Sequence, residues 1–495
     1  EVQTVDGEGA MVTYQDPKWR FDTSGTNRAI LDVVAKHGRV DRPIRVQVLA
    51  DNKTIHSHVL TEEERGTALP SVQPWLVGIG SNRLALDKGF MRSAQGGAIE
   101  FSVSELTDVA SIPGDPLVYS GVDTLVFSSS NSQLNNGLEA GQRLAIAEWV
   151  AGGGQLLLSW GKGGPDLAKH EEFAQLLPGR LTESANDCEP SPIESLLGSQ
   201  DRLSPLGCSI LRMRSGKLEV LGATGNRTKL PLIARWAYGT GTVTWLAVEL
   251  DSPQLADWET RPSLIKYLVK DHWEKLERGP NRQGLLAYED ISGQLNAMLD
   301  HFPNLQLGGL GHLVLIALLF ALLIGPLDYF VVVKYLKRPQ WTWWTLLLSS
   351  LGTIAVSSIL FRTWKPSIPS INSIEFIDVD DQTQSLMGRG YSHVYGGKRG
   401  LYDFNSFHRS LDSDGKDSGF PQANRLDWFG QPGKGIGGFE SSVASVFGLP
   451  NYGIRAIDNG SFIGGVGIPT AGTKALTYSW QEKISIDRKS TRLNS

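Results

Sequence analysis

Few residues in this chain carry a type and spacing that could do covalent chemistry. Ser159 ends the apolar run Gln155–Ser159 and is followed by Trp160-Gly161-Lys162-Gly163. A serine nucleophile needs a sharp strand-to-helix turn of the G-x-S-x-G kind to present its hydroxyl. That pattern is missing, so Ser159 reads as a strand residue. Cys188 and Cys208 are the two cysteines of the chain, too few for a cysteine-rich zinc or disulfide scaffold. In an oxidising compartment they could close a loop that contributes about 3 kcal/mol. Otherwise they are two unpaired thiols, and the sequence leaves both readings open.

Metal and nucleotide patterns are weak. His56 and His58 are two apart, so on a strand they share a face and could co-ligate zinc, but no third ligand has a recognisable spacing. Solvated strand histidines are the preferred reading. Asp378-Val379-Asp380-Asp381 and Asp412-Ser413-Asp414-Gly415 offer oxygen ligands without the distal glutamate of a calcium loop, and read as turns. No D-x-S-x-S adhesion motif follows the Val122–Phe127 run. Gly433-Lys434-Gly435-Ile436-Gly437-Gly438 fits G-x-G-x-x-G but follows a polar, turn-like stretch, whereas a dinucleotide site needs a buried strand before it. It is read as a glycine-rich loop of a β domain. No residue is therefore assigned a catalytic, cofactor-binding or metal-ligating role.

These residues sit on elements of three kinds. Lys+Arg total 47 against Asp+Glu 52, a net charge of -5, which argues against a nucleic-acid partner. With 41% hydrophobic residues and 14 Trp, the 495-residue chain can fill several cores, about three domains by length. Met11–Tyr14, Ile44–Leu49 and Thr54–Leu60 alternate as strands of a small β-sandwich. A βαβ-like unit follows: the buried strand Val122–Ser128, an apolar helical stripe from Leu138 to Val150 stopped by Gly152-Gly153-Gly154, and the buried strand Gln155–Trp160. Unalternating strands separated by a helix indicate a parallel sheet covered on both faces. Leu230–Trp236 with Gly241–Val248 is expected as a closing strand pair, Ser263–Trp273 as an amphipathic helix, and Gly279–Leu307 as a linker.

Leu313–Val333 and Trp341–Phe361 are each 21 residues long, and Asp328 is the only charged residue within them. At 1.5 Å per residue each covers about 31 Å, the thickness of bilayer hydrocarbon, and Trp341-Thr342-Trp343-Trp344 suits a membrane interface. The loop 334–340 holds Lys334, Lys337 and Arg338 and no acid, which places it in the cytoplasm and both large flanks outside. Asp328 is expected to pair with Lys334 or Lys337, or to cap around the Pro326 kink. At the far end, Asp487–Ser495 back-translates as GAT CGG AAG AGC ACA CGT CTG AAC TCC, which looks like a sequencing adapter read through in frame. These nine residues are set aside as an artefact, and the natural protein is expected to continue past Ile486.

Gly121-Val122-Asp123, Glu148-Trp149-Val150-Ala151-Gly152-Gly153-Gly154 and Tyr238-Gly239-Thr240-Gly241-Thr242-Val243 with Asp251 downstream make residues 72–278 resemble the class I glutamine amidotransferase-like fold. The catalytic cysteine elbow of true amidotransferases is missing, so catalysis does not follow from the likeness. Gly325-Pro326-Leu327-Asp328-Tyr329, Arg338-Pro339-Gln340-Trp341 and the later Trp428-Phe429-Gly430-Gln431-Pro432-Gly433 look like the G-P-x-x-Y hairpin and trailing β domain of bacterial envelope proteins of unassigned function. The expected fold is multidomain, α/β plus all-β. Residues 1–70 form a β-sandwich-like domain and 71–278 an amidotransferase-like (flavodoxin-like) parallel-sheet domain. Residues 279–309 form the linker, 310–362 two transmembrane helices, 363–486 a second β-rich domain and 487–495 the artefact. The resemblance implies an architecture anchored in the bacterial cytoplasmic membrane, and the β modules with the missing nucleophile lead to the expectation of a binding or assembly role outside it. Its partners would be the lipid bilayer and an envelope protein or glycan, with no nucleic acid and no cofactor. The alternative is an envelope hydrolase with an unrecognised Ser/His/Asp site.

Overall fold

The computed structural model describes residues 1–15, 33–39, 42–51, 53–66, 69, 74–86, 102–224, 227–269, 291–302, 310–364, 368–380, 385–405, 423–430, 451–457, 460–470 and 472–483. The chain opens with β1 (Val2–Val5), β2 (Met11–Gln15), β3 (Arg45–Ala50) and β4 (Lys53–Val59). The α/β unit follows with β5 (Trp75–Ile79), β6 (Ser102–Leu106), β7 (Thr124–Ser128), α1 (Ala140–Ala151) and β8 (Gln155–Ser159). It continues through β9 (Gly179–Cys188), β10 (Leu206–Met213), β11 (Lys217–Thr224), β12 (Arg227–Tyr238), β13 (Gly241–Leu246) and α2 (Arg261–Leu268).

These strands form one nine-stranded sheet in the order β10-β9-β11-β12-β13-β8-β7-β5-β6. From β6 to β13 neighbours run parallel, and from β13 to β10 they are antiparallel. Every residue of β7 is buried, as its unbroken apolar run requires. Phe127 of β7 packs with Trp160, Phe173 and Trp245 in a chain of tilted and edge-on rings, with centroids 5.4–6.0 Å apart. Glycines end α1 as expected, but the left-handed residue is Gly153 (φ 117°), not the cap residue Gly152. A methyl group on Gly154 would stand 2.4 Å from Trp149 Cδ2, so the chain turns directly against its own helix. Cys188 and Cys208 lie within this sheet, on β9 and β10.

The stretch expected as a linker contains α3 (Ile291–Leu299). Leu295, Leu299 and Phe302 are buried, and Asn372 Nδ2 donates to the carbonyls of Leu299 and His301, each at 3.0 Å. Two helices long and apolar enough to cross a membrane follow, Val314–Tyr335 and Pro339–Leu360, 22 residues each. In the first, α4 (Leu310–Leu322) widens into π turns across Pro326, whose missing N–H breaks the ordinary helical ladder. The second lies within α5 (Thr342–Trp364), preceded by a short 3₁₀ turn.

The chain then forms β14 (Ser370–Asp380), β15 (Ser385–Tyr395), β16 (Gly400–Asn405), β17 (Ala423–Trp428), β18 (Tyr452–Ile457), β19 (Gly460–Ile468) and β20 (Thr473–Lys483). The two flanks of the helix pair, expected as separate β domains, build one sandwich. A seven-stranded sheet runs β16-β19-β18-β2-β1-β3-β4, with β2 parallel to β18, and faces a four-stranded sheet β14-β15-β20-β17. Val12, Tyr14, Val394, Trp428, Ile454 and Leu476 share the core between them. On β15, a methyl group on Gly388 would stand 2.1 Å from Trp480, and one on Gly390 1.9 Å from Tyr478. Glycine at both sites lets the neighbouring rings of β20 lie flat on the strand.

The sandwich docks on the end of the α/β unit where β8 and β13 begin. Arg389 donates to the Gly152 carbonyl, the Gly239 N–H donates to Asp380 Oδ2 at 3.2 Å, and Arg425 pairs with Asp115 at 2.7 Å. The glycine turns that carry the resemblance thus form the junction between the two bodies.

Candidate functional site

In an open α/β sheet, ligands bind beyond the carboxyl ends of the strands where the connection order reverses. Here β5 lies between β6 and β7, so the reversal falls between β5 and β7. Ser81 lies just beyond β5, and Ser128-Ser129-Ser130-Asn131 closes β7 and enters the next turn. The segment after β13 brings Glu249 and Asp251 onto the same end.

Asp251 is engaged by three serines. Its Oδ2 accepts from Ser81 Oγ at 2.7 Å, from the Ser81 N–H at 3.1 Å and from Ser130 Oγ, while Oδ1 accepts from Ser128 Oγ at 2.5 Å. Glu249 Oε1 accepts from Ser129 Oγ at 2.9 Å and from the Gly163 N–H at 3.2 Å. Because side chains alternate along an extended chain, Ser128 and Ser130 reach Asp251 while Ser129 reaches Glu249. Glycines permit the approach: a methyl group on Gly80 would stand 3.3 Å from Asp251 Oδ2, and one on Gly161 2.9 Å from Glu249 Cδ. Asp251 is only 3% exposed. The donors that would face a bound anion at such a crevice are turned onto the chain's own carboxylates.

Ser159 is wholly buried in β8. Its hydroxyl donates to the Val248 carbonyl at 2.9 Å and accepts from the Leu250 N–H at 2.8 Å, which holds the carboxylate-bearing segment in place. That is a positioning role, and no face of the hydroxyl is presented to a substrate. Cys188 and Cys208 are buried free thiols. His56 and His58 lie on the exposed strand β4, where His58 Nε2 sits 2.9 Å from Glu64 Oε2. The Thr61 backbone N–H and His58 hold Glu64 below the usual carboxylate range. Among the described residues, no group of three or more His, Cys, Asp or Glu could hold a metal ion. Asp380 serves the junction, while Asp381, Asp412–Gly415 and Gly433–Gly438 lie outside the described residues.

Asp328 corrects an expectation. Its carboxylate accepts from Thr345 Oγ1 on the second apolar helix, not from Lys334 or Lys337. Lys334 instead sets its ammonium over the Phe330 ring, 5.4 Å from the centroid. The buried carboxylate faces the partner helix, and the lysines stay on the exposed side.

The sandwich holds a second polar cluster. Lys474 Nζ lies 2.5 Å from Asp6 Oδ2 and 2.7 Å from Glu8 Oε2, and Tyr452 OH donates to Asp6 at 2.7 Å. Burial works against the Lys474 charge, but Glu8 and Asp6 outweigh it and raise its pKa above the ordinary lysine value. Nearby, Lys36 Nζ donates to the Trp428 carbonyl at 2.9 Å and lies over that indole, while Tyr14 OH donates to Asp427 at 3.1 Å. Burial lowers Lys36 and raises Asp427. Sequence reasoning missed both clusters. For the crevice, the available signal was the Ser-Ser-Ser-Asn run directly after a buried strand.

No family model matches the chain, and no curated protein matches it significantly. Solved structures give faint likenesses. A cytoplasmic protein of Salmonella typhimurium LT2 is 15% identical, with 40% of this chain and 98% of that one covered and a TM-score of 0.29. A second Salmonella typhimurium cytoplasmic protein is 14% identical over 46% of this chain and 94% of that one, also at 0.29. A β-galactosidase from Bacillus circulans is 9% identical over 82% of this chain and 41% of that one, at 0.26. Likenesses at these scores carry no argument about fold or activity.

Proposed function

We propose that this chain is a membrane-anchored bacterial envelope protein whose α/β unit is an amidotransferase-like (flavodoxin-like) domain without a working nucleophile. It binds or assembles with protein or glycan partners outside the cytoplasmic membrane. One observation carries the reading: the crevice at the strand reversal is filled by Asp251 and its three serines. The anchor is the pair of apolar helices, with the basic loop 334–340 in the cytoplasm. The shared sheet supports this topology, because β2 and β18 pair only if both flanks lie on one side of the bilayer. The glycine turns of the α/β unit serve the junction with the sandwich, a role suited to assembly.

The test uses the full chain in detergent with a fluorophosphonate probe, together with single cysteines at Gln340 and Ser370 labelled from outside intact cells. No probe adduct is expected, and Ser370 should label while Gln340 stays silent. An adduct abolished by Ser159→Ala would make the protein a hydrolase. Labelling at Gln340 alone would reverse the topology.

A further inference from the structure

The last described element before the first apolar helix, α3, is strapped to the sandwich at its end. Asn372 of β14 caps it by donating to the carbonyls of Leu299 and His301, each at 3.0 Å. Thr473 Oγ1, at the start of β20, donates to Asp300 Oδ1 at 2.9 Å, and the ring centroids of Phe302 and Tyr395 lie 5.7 Å apart. Among these contacts β15 places His393, opposite Asn372 on one side and Ala475 on the other. It therefore stands on the face of the sheet that receives α3.

His393 is 4% exposed, and neither ring nitrogen has a hydrogen-bond partner. Phe429 meets its ring edge-on, with centroids 6.3 Å apart. Asp300 Oδ1 lies 3.6 Å from Nδ1, beyond hydrogen-bond length, and this carboxylate is more than half exposed. Tyr391 and Tyr395 share the face along β15, while His301 is exposed and Lys474 points the other way, to Asp6 and Glu8 in the core. Among the described residues, Asp300 is thus the charged group that faces the ring at neutral pH. A buried cation without hydrogen-bond partners is costly, whereas the uncharged ring packs there with less penalty. Burial accordingly holds His393 below the ordinary histidine value, and Asp300 offsets only part of that effect.

We propose that His393 is a pH-sensitive catch: uncharged, it lets residues 291–302 stay closed on the sandwich, and on gaining a proton it releases them. The direction follows from linkage. A ring held below its free pKa takes its proton more readily once exposed. Closure is therefore held in full above about pH 6.5 and weakens as the pH falls through that value. The extracytoplasmic reading enters only through the pH that the ring meets, that of the cell's surroundings.

Hydrogen–deuterium exchange of the full chain in detergent, corrected for the intrinsic effect of pH, is compared at about pH 7.5 and 5.5. Peptides within residues 291–302 should exchange up to about tenfold faster at the lower pH, the limit for one proton gained one unit below 6.5, while β7 stays protected. His393→Phe should abolish the acceleration, and His393→Gln gives the same reading if the phenylalanine variant does not fold. Asp300→Asn keeps the acceptor for Thr473 but removes the countercharge, and should enlarge the acceleration toward that limit. Equal protection of residues 291–302 at both pH values overturns the proposal, and so does acceleration that persists in the His393 variants. The purified protein gives these outcomes whichever side of the membrane it occupies, which the cysteine labelling decides separately.

Discussion

Asp251 gathers three hydroxyls and one amide at the crevice where the strand order reverses. Hydrogen bonds to a charged acceptor are worth more than neutral ones, and a buried donor left without an acceptor costs its own desolvation. Asp251→Ala should therefore destabilise the protein by roughly 3 kcal/mol, and Ser81→Ala by only about 1 kcal/mol, because it removes one donor and leaves the carboxylate held. Denaturant titration of the full chain in detergent compares the two. Equal effects would mean that the carboxylate does not organise the crevice. Ser159 belongs to the same scheme, since its hydroxyl clamps the segment that carries Asp251.

Within the helix pair, Thr345 gives the Asp328 carboxylate a donor from the facing helix. Thr345→Val should weaken the association of the two helices by about 1–2 kcal/mol, whereas Lys334→Ala should leave it unchanged. Energy transfer between dyes at the helix ends in lipid bicelles, followed through an SDS titration, reads the difference. Local elements were legible because their pattern is local. The unbroken apolar run of β7, the glycine stop after α1 and the two long apolar helices all declare themselves within a window of their own length. Partnership was not legible. The alternation of Val12 and Tyr14 marks a strand without naming β18 as its neighbour, and Ser128 lies 123 positions from Asp251. Nothing local to Gly388 and Gly390 announces the rings of Trp480 and Tyr478 that lie over them. The helix Ile291–Leu299 was hidden in a stretch too short and mixed for its period to stand out.

Taken whole, the molecule is one sandwich with both flanks of the helix pair woven through it, docked on an α/β unit by its glycine turns. Lys474 holds that weave by neutralising Asp6 and Glu8 from the turn between β1 and β2. Lys474→Met leaves two carboxylates without their buried cation and should cost roughly 3–5 kcal/mol. Adding Asp6→Asn should recover part of that loss. Calorimetry should show the sandwich transition moving while the α/β transition stays in place, and parallel movement of both would mean that the two bodies unfold together.

Weaving the ends together also sets a schedule. Asp6 meets Tyr452 only after 446 further positions have been made. At 5–20 residues per second this is a wait of roughly 20–90 s. On the topology proposed above, β1 and β2 are exported during it with an open sheet edge, and the helix pair enters the bilayer before their neighbours exist. Such edges recruit foreign strands. On that topology a ribosome halted before Tyr452 leaves an anchored, half-built sandwich at the membrane surface, a substrate for chaperones and proteases rather than a smaller working protein.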